Sequence, residues 1–240
     1  MRKLTTLTLV SILIASCSGE WKNGINGNGN YVALNRSVGE YESLDLSSFF
    51  DVELINGNEG QLILHGEENL LEFIITKVEN GKLKLKTIDG INLRPSNWEC
   101  GIRIIVPVES LESISISGSG NIRGEELIKS PEFTITMAGS GNIKLDLETD
   151  SLIANTSGSG DINIRGRATN LQTTNSGSGD IDAYEMEASN LVATISGSGD
   201  IKVNVKEMLT ARISGSGNIG YRGNPKKVDA KTSGSGNISK

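Results

Sequence analysis

One phrase, Ser-Gly-Ser-Gly-(Asn/Asp)-Ile, recurs through the second half of the chain and constrains its fold more than anything else in it. It is intact six times and appears once more as Ala138-Gly139-Ser140-Gly141-Asn142-Ile143. Its Asn/Asp members are Asn121, Asn142, Asp161, Asp180, Asp200, Asn218 and Asn237, at intervals of 21, 19, 19, 20, 18 and 19 residues. A sustained period of this length marks a stacked repeat architecture. The residue after the Asn/Asp is always Ile: Ile122, Ile143, Ile162, Ile181, Ile201, Ile219 and Ile238. Nine residues before the Asn/Asp stand Phe133, Leu152, Leu171, Leu191, Leu209 and Val228. Seven before it the residue is small or apolar, as in Ile135, Ala154, Ala193, Ala211 and Ala230. These positions share one parity with the two glycines. Strand side chains alternate between faces, so this parity is expected to point inward and the Ser, Ser and Asn/Asp positions outward.

A unit of about 19 residues cannot bury an apolar face alone, but stacked units bury a continuous Ile column and Leu column. The expected fold is all-β, a β-solenoid with one coil per repeat. Parallel crossovers are overwhelmingly right-handed, so a right-handed parallel β-helix is expected. A propeller blade needs about 40 residues, and Gly-Ser-Gly would break a helical repeat. The inward glycines are expected to permit a sharp bend or a close approach to the opposite wall. Stacked Asn side chains can form an amide ladder. Asp161, Asp180 and Asp200 replace amides with carboxylates on three adjacent coils, where like charges about 4.8 Å apart repel.

Residues 31–116 are less regular but still β in pattern. Candidate strands are Tyr41–Leu46, Phe50–Ile55, Gln61–His65, Phe73–Val78, Lys82–Thr87 and Gly101–Val106. Glu79-Asn80-Gly81-Lys82 signals a hairpin, and Glu67–Leu71 suggests one helical turn. A solenoid needs its open edge protected, so this segment is expected to supply an N-terminal cap and the first irregular coils. After Ile238 no cap is evident, which invites end-to-end self-association or a partner at the C-terminal coil.

The N-terminus reads as an address. Arg2 and Lys3 precede an apolar run from Leu4 to Ile14, the pattern of a secretory signal. The following Ile14-Ala15-Ser16-Cys17 has the form of a bacterial lipobox, so cleavage before Cys17 and its acylation are expected. The organisation is then 1–16 signal peptide, 17–30 lipidated cysteine and tether, 31–116 irregular β region, and 117–240 repeat array. The expected location is the bacterial envelope, lipid-anchored to the outer membrane. Removing residues 1–16 takes two basic residues and moves the net charge from -6 to -8. This acidic balance excludes a nucleic-acid surface, which needs a basic field. Cys100 is left without a disulfide partner and is expected to be a small buried or half-buried thiol. His65, the sole histidine, is expected at an exposed strand end.

Several of these features together resemble one family. They are the lipobox at Cys17, Gly24-Ile25-Asn26-Gly27-Asn28-Gly29-Asn30, Phe49-Phe50-Asp51-Val52, Glu68-Asn69-Leu70-Leu71-Glu72 and the Gly-Ser-Gly array. They are similar to the auto-transporter adhesin, head GIN domain family of Bacteroidetes envelope lipoproteins. The resemblance spans residues 25–240. It implies a β-helical adhesin-like head and supplies no catalytic residues.

A phosphate loop needs one Gly-rich turn leading into a helix, whereas seven here lead into Ile. Calcium β-rolls repeat every nine residues, and four of the seven positions are Asn, so only weak cation contact at Asp161, Asp180 and Asp200 is envisaged. No metal site or cofactor is expected. Two carboxylates about 5 Å apart suit a retaining glycosidase, which makes a carbohydrate-active β-helix the alternative. Yet these acids occupy positions that hold Asn elsewhere in the array. Trp98 is the best single candidate for ligand contact. The resulting expectation is a non-enzymatic, adhesin-like lipoprotein that presents a rigid solenoid to a glycan or to an envelope or host protein.

Overall fold

The computed structural model describes residues 24–240; the signal, Cys17 and Trp21 lie outside the described residues. The N-terminal part contains β1 (Gly24–Asn26), β2 (Tyr31–Ser37), β3 (Ser43–Ser47), β4 (Asp51–Asn56) and β5 (Gln61–Glu67). After these come α1 (Glu68–Leu71), β6 (Ile74–Glu79), β7 (Lys82–Thr87), β8 (Asn92–Arg94) and β9 (Arg103–Val108). The array contains β10 (Ser113–Ile116), β11 (Asn121–Met137), β12 (Ile143–Thr156), β13 (Ile162–Asn175) and β14 (Ile181–Ile195). It ends with β15 (Ile201–Ile213), β16 (Ile219–Arg222), β17 (Lys227–Thr232) and β18 (Ile238–Ser239).

The chain is a β-solenoid. From β10 to β18 every pairing is parallel and in register with the repeat: Ile122 faces Ile143, then Ile162, Ile181, Ile201, Ile219 and Ile238. The first six of these isoleucines are at most 1% exposed. Phe133, Leu152, Leu171, Leu191 and Leu209 form the second buried column. Each coil is one long strand running from the Ile of one motif to the residue before the next Ser/Ala-Gly-Ser-Gly corner. It bends where the register slips, as between Gly124 and Leu127 or Asn163 and Gly166.

The inward parity fails in the last coil. Val228 is 44% exposed, Ala230 is exposed and Ile238 is only half-buried. Among the described residues, no strand stacks beyond β17 and β18 to cover them.

The corner glycines act differently from expectation. A Cβ on Gly160 would lie 1.9 Å from the carbonyl oxygen of Gly141, and one on Gly179 2.0 Å from that of Gly160. The same contact recurs from Gly118 to Gly236. The missing side chains therefore point along the stack at the preceding coil, not across at the opposite wall. Only glycine allows corners to nest at strand spacing.

The irregular region adds two coils, in an order the chain does not follow. Strands β3 and β4 make a coil directly beneath β10 and β11, with Leu44 under Ile114 and Val52 under Ile122. Strands β7 and β9 make the next one down, with Leu83 under Leu44 and Ile104 under Val52. The chain builds the upper coil first, descends to the lower one, and then passes the upper coil again to begin the array. Antiparallel strands close the outer edge: β6 on β7, β5 on β9, and β2 on β5. The Asn80-Gly81 hairpin forms with both residues at positive φ, 53° and 71°, the geometry of a type I′ turn.

Candidate functional site

Two surface features, the Asn/Asp column and the aromatic corner around Trp98, hold side chains singled out above, and a charged column adds a third.

The Asn/Asp column is a hydrogen-bonded ladder. Each residue sits at the exit of a corner, where its backbone N–H has no strand partner. At five of the six steps from Asn121 to Asn237 the Oδ1 of the residue one coil earlier accepts that N–H; the step from Asn142 to Asp161 lacks this bond. Asn121 Oδ1 accepts from Asn142 N at 3.0 Å, Asp161 from Asp180 at 2.8 Å, Asp180 from Asp200 at 2.7 Å, Asp200 from Asn218 at 2.7 Å, and Asn218 from Asn237 at 3.0 Å. The ladder extends into the irregular region, where Asn121 Nδ2 donates to Asp51 at 2.7 Å. This function needs an acceptor oxygen, which Asn and Asp both carry. It explains why the two interchange along the column. Asp161, Asp180 and Asp200 are brought together as adjacent rungs, spread along the stack rather than converging. Among the described residues, no group of three or more His, Cys, Asp and Glu side chains is placed to hold a metal ion. A shallow open groove beside the rungs is lined by Lys144, Asp161, Asn163, Arg165, Asp180 and Lys202.

The charged column escaped the sequence reading. Lys129, Glu148, Arg167, Glu187 and Lys206 come from five successive coils and alternate in sign. Lys129 lies 3.7 Å from Glu148, Arg167 pairs with the other Glu148 oxygen, and Lys206 lies 2.5 Å from Glu187. Arg167, with Lys129 behind it, holds the Glu148 carboxyl below its usual range against the opposing pull of desolvation. These pairs are exposed and contribute little stability each, but a coil slipped by one unit would set like charges together. The signal was present as alternating charge at the repeat interval. It was hidden because these residues share no single residue type, so aligning the copies by identity does not reveal them.

At the aromatic corner, Trp98 is 66% exposed. Its ring lies 5.5 Å from Phe49, which lies 5.1 Å from the fully buried Phe50. Cys100 is in the same loop and is exposed, not buried as expected. The loop from Pro95 to Gly101 runs over the outside of the cap, and the thiol meets only Asn97 Nδ2, at 3.5 Å. His65 is exposed on β5, opposite Arg103.

A further residue was missed altogether. Glu67 is 1% exposed. Its carboxylate accepts the N–H of Gly29 at 2.5 Å and that of Ser96 at 2.9 Å. Burial pushes its pKa up, but these donors outweigh burial and hold it below the ordinary value. Asn69 completes the clamp, accepting from Asn28 N at 3.0 Å and donating to Asn26 O at 2.8 Å. A Cβ on Gly27 would lie 1.9 Å from the Glu67 carboxylate. The Gly24–Asn30 segment is thus wrapped round one buried acid. Nothing in the spacing of Glu67 predicts this.

Residues 40–225 match the family model described as "Putative auto-transporter adhesin, head GIN domain". The chain belongs to this family. A crystal structure of a putative adhesin from Bacteroides fragilis superposes with a TM-score of 0.82 at 24% identity, covering 90% of this chain and 99% of that one. A protein from Parabacteroides distasonis, named a putative lipid binding protein, gives 0.75 at 27% identity over 90% and 98%. A putative adhesin from Parabacteroides merdae gives 0.68 at 18% identity over 91% and 99%. No curated protein matches the chain. The family's adhesin name suggests a surface or envelope protein that binds an external partner.

Proposed function

We propose that this head GIN domain chain is a non-enzymatic envelope lipoprotein, cleaved before Cys17, acylated there and held at the outer membrane. It presents its solenoid as a rigid, flat, polar surface to a glycan or to an envelope or host protein. The observation that carries the reading is the ladder. One oxygen of each of Asp161, Asp180 and Asp200, Oδ1, already accepts the backbone N–H of the next coil, which gives these carboxylates a structural role. Their neighbours on the surface are the Ser columns of the corners, ordered by the fold and low in conformational entropy. Such a surface binds through many shallow hydrogen bonds. Among the described residues no strand covers the outer side of β17, where Val228 is exposed, and this extends the reading to end-to-end pairing of two copies, which sedimentation velocity tests directly.

Two experiments test the anchor and the side of the membrane. Metabolic labelling with a palmitate analogue is expected to mark the wild type and not Cys17→Ser; equal labelling of both overturns the anchor. Protease shaving of intact cells, with a periplasmic control left whole, is expected to remove the protein. Complete protection places it on the periplasmic face, and the binding partner must then be an envelope component. Glycan and host-protein screens follow from surface exposure.

A further inference from the structure

We propose that the aromatic corner of the cap docks on a zwitterionic lipid bilayer, with Trp98 at the headgroup level, and so fixes the angle at which the solenoid leaves the membrane. The inference rests on the acylation of Cys17 proposed above.

Trp98 is the most exposed large apolar side chain of the described residues, at 66%. It is nonetheless held in place. Its ring packs on Phe49 and, through Phe49, on the buried Phe50. From the other side, the Tyr31 hydroxyl donates to Asn97 O at 3.4 Å. Tyr31 and Ile88 are themselves 41% and 40% exposed. Ser48 and Thr87, which precede Phe49 and Ile88, lie hydroxyl to hydroxyl at 3.0 Å. A preorganised aromatic ring with an apolar body and a polar N–H suits the membrane–water interface.

The place of this corner in the fold selects the occupant. The loop of residues 88–102 carries Trp98 and also β8, the parallel partner of β1. The chain arriving from Cys17 therefore joins the fold on the loop that displays Trp98. Six residues lie between Cys17 and Gly24, a span of at most ~25 Å over the seven Cα steps. Trp98 follows Arg94 of β8 by four residues, at most ~14 Å. An acyl chain on Cys17 thus keeps this corner within reach of the bilayer. The loop carries Asp89 and Glu99 against Arg94 alone, so it lacks the basic cluster that anionic lipid would need. One ring and its neighbours bind weakly by themselves, and the anchor raises their effective concentration at the surface.

The test uses the chain from Cys17 onward, which retains every residue of the described fold. Trp21→Phe and Cys100→Ser leave Trp98 as the sole tryptophan and Cys17 as the sole thiol. Cys17 is coupled to maleimide phosphatidylethanolamine in phosphatidylcholine vesicles. The coupled protein is expected to show blue-shifted Trp98 emission that brominated acyl chains quench, while uncoupled protein with the same vesicles keeps solvent-like emission. Solvent-like, unquenched emission from the coupled protein overturns the docking. So does emission shifted only by an added glycan, which would make the corner a sugar platform. Because the coupling is chemical, palmitate labelling in cells reads the anchor separately. Labelling without quenching overturns the docking alone, and absence of labelling removes the anchor on which docking in cells depends.

Discussion

The array and the cap are built from the same parallel coils but solve their problems in opposite ways. In the array each physical task is given to a column. Ile fills the core, glycine lets corners nest, and an Asn/Asp oxygen holds the next backbone N–H. In the cap each task falls to one residue, once. Glu67 holds the Gly24–Asn30 segment. Glu59 accepts from the N–H groups of Tyr41, Glu109 and Ser110, joining the upper coil to the segment that crosses back over it. The half-buried Arg36 donates to the carbonyls of Leu71, the last residue of α1, and Ile74, the first of β6. Repetition makes one part tolerant and predictable; single use makes the other specific. Polar groups buried in the array are an intermediate case. Asn175 sits at a core position and binds its own corner, donating to Gly179 O at 2.7 Å and accepting from Gly177 N at 3.0 Å.

The comparison can be broken most severely at the core column. Ile181→Asp places a carboxylate where no partner exists, at a cost of about 4 kcal/mol or more. The array is expected to lose its cooperative melt, read by circular dichroism. An unchanged melting temperature would refute the inward assignment. A gentler cut sharpens the contrast. Deleting residues 162–180 removes one whole repeat and rejoins Asp161 to Ile181 in phase. Because repeats interact with their neighbours only, the shortened chain is expected to fold with a lower Tm and a single transition. Failure to fold would show that the coils are not interchangeable.

The cap has no such tolerance. Glu67→Ala removes the acceptor that ties the part-buried N–H groups of Gly29 and Ser96 together and is expected to cost about 2 kcal/mol, with hydrogen exchange rising in residues 24–37 and 61–100 while array amides stay protected. The acid response has the same origin. The Glu67 carboxyl titrates below its ordinary value of 4.5 in the folded protein. Its contribution is therefore complete above that ordinary range and is lost as pH falls through the lower folded value. Acid is expected to loosen the cap before the array, and Glu67→Gln to flatten that part of the pH dependence. Equal acid sensitivity of cap amides in wild type and Glu67→Gln would contradict the clamp.

What was legible in the sequence follows the same division. The Ile and Leu columns, the period and the outward Asn/Asp stripe were readable because seven copies cancel local noise. So was the hairpin at Asn80-Gly81, where turn chemistry is local. The direction of the corner glycines was not, because the alternation of a strand rotates at a corner. The chain order of the first two coils was also hidden. Leu44 under Ile114 is a contact across 70 residues, and no local signal encodes it. Nor could the exposure of Cys100 be read, since a loop over the cap and a buried turn share the same composition. For the candidate site, the repeat spells out the column, but Asn and Asp at one position are compatible with a ladder, a cation site or an acid pair. The hydrogen-bond directions now favour the ladder.

The most direct measurement is thermal denaturation of the wild type and of the triple variant Asp161→Asn, Asp180→Asn and Asp200→Asn, each with and without calcium. A ladder requires only an acceptor oxygen, so the variant is expected to melt at the same temperature or slightly higher as the carboxylate repulsion is removed, and calcium is expected to move neither protein. A variant that melts distinctly lower, or a calcium-dependent rise confined to the wild type, would contradict the ladder and return these carboxylates to a cation-binding or catalytic role.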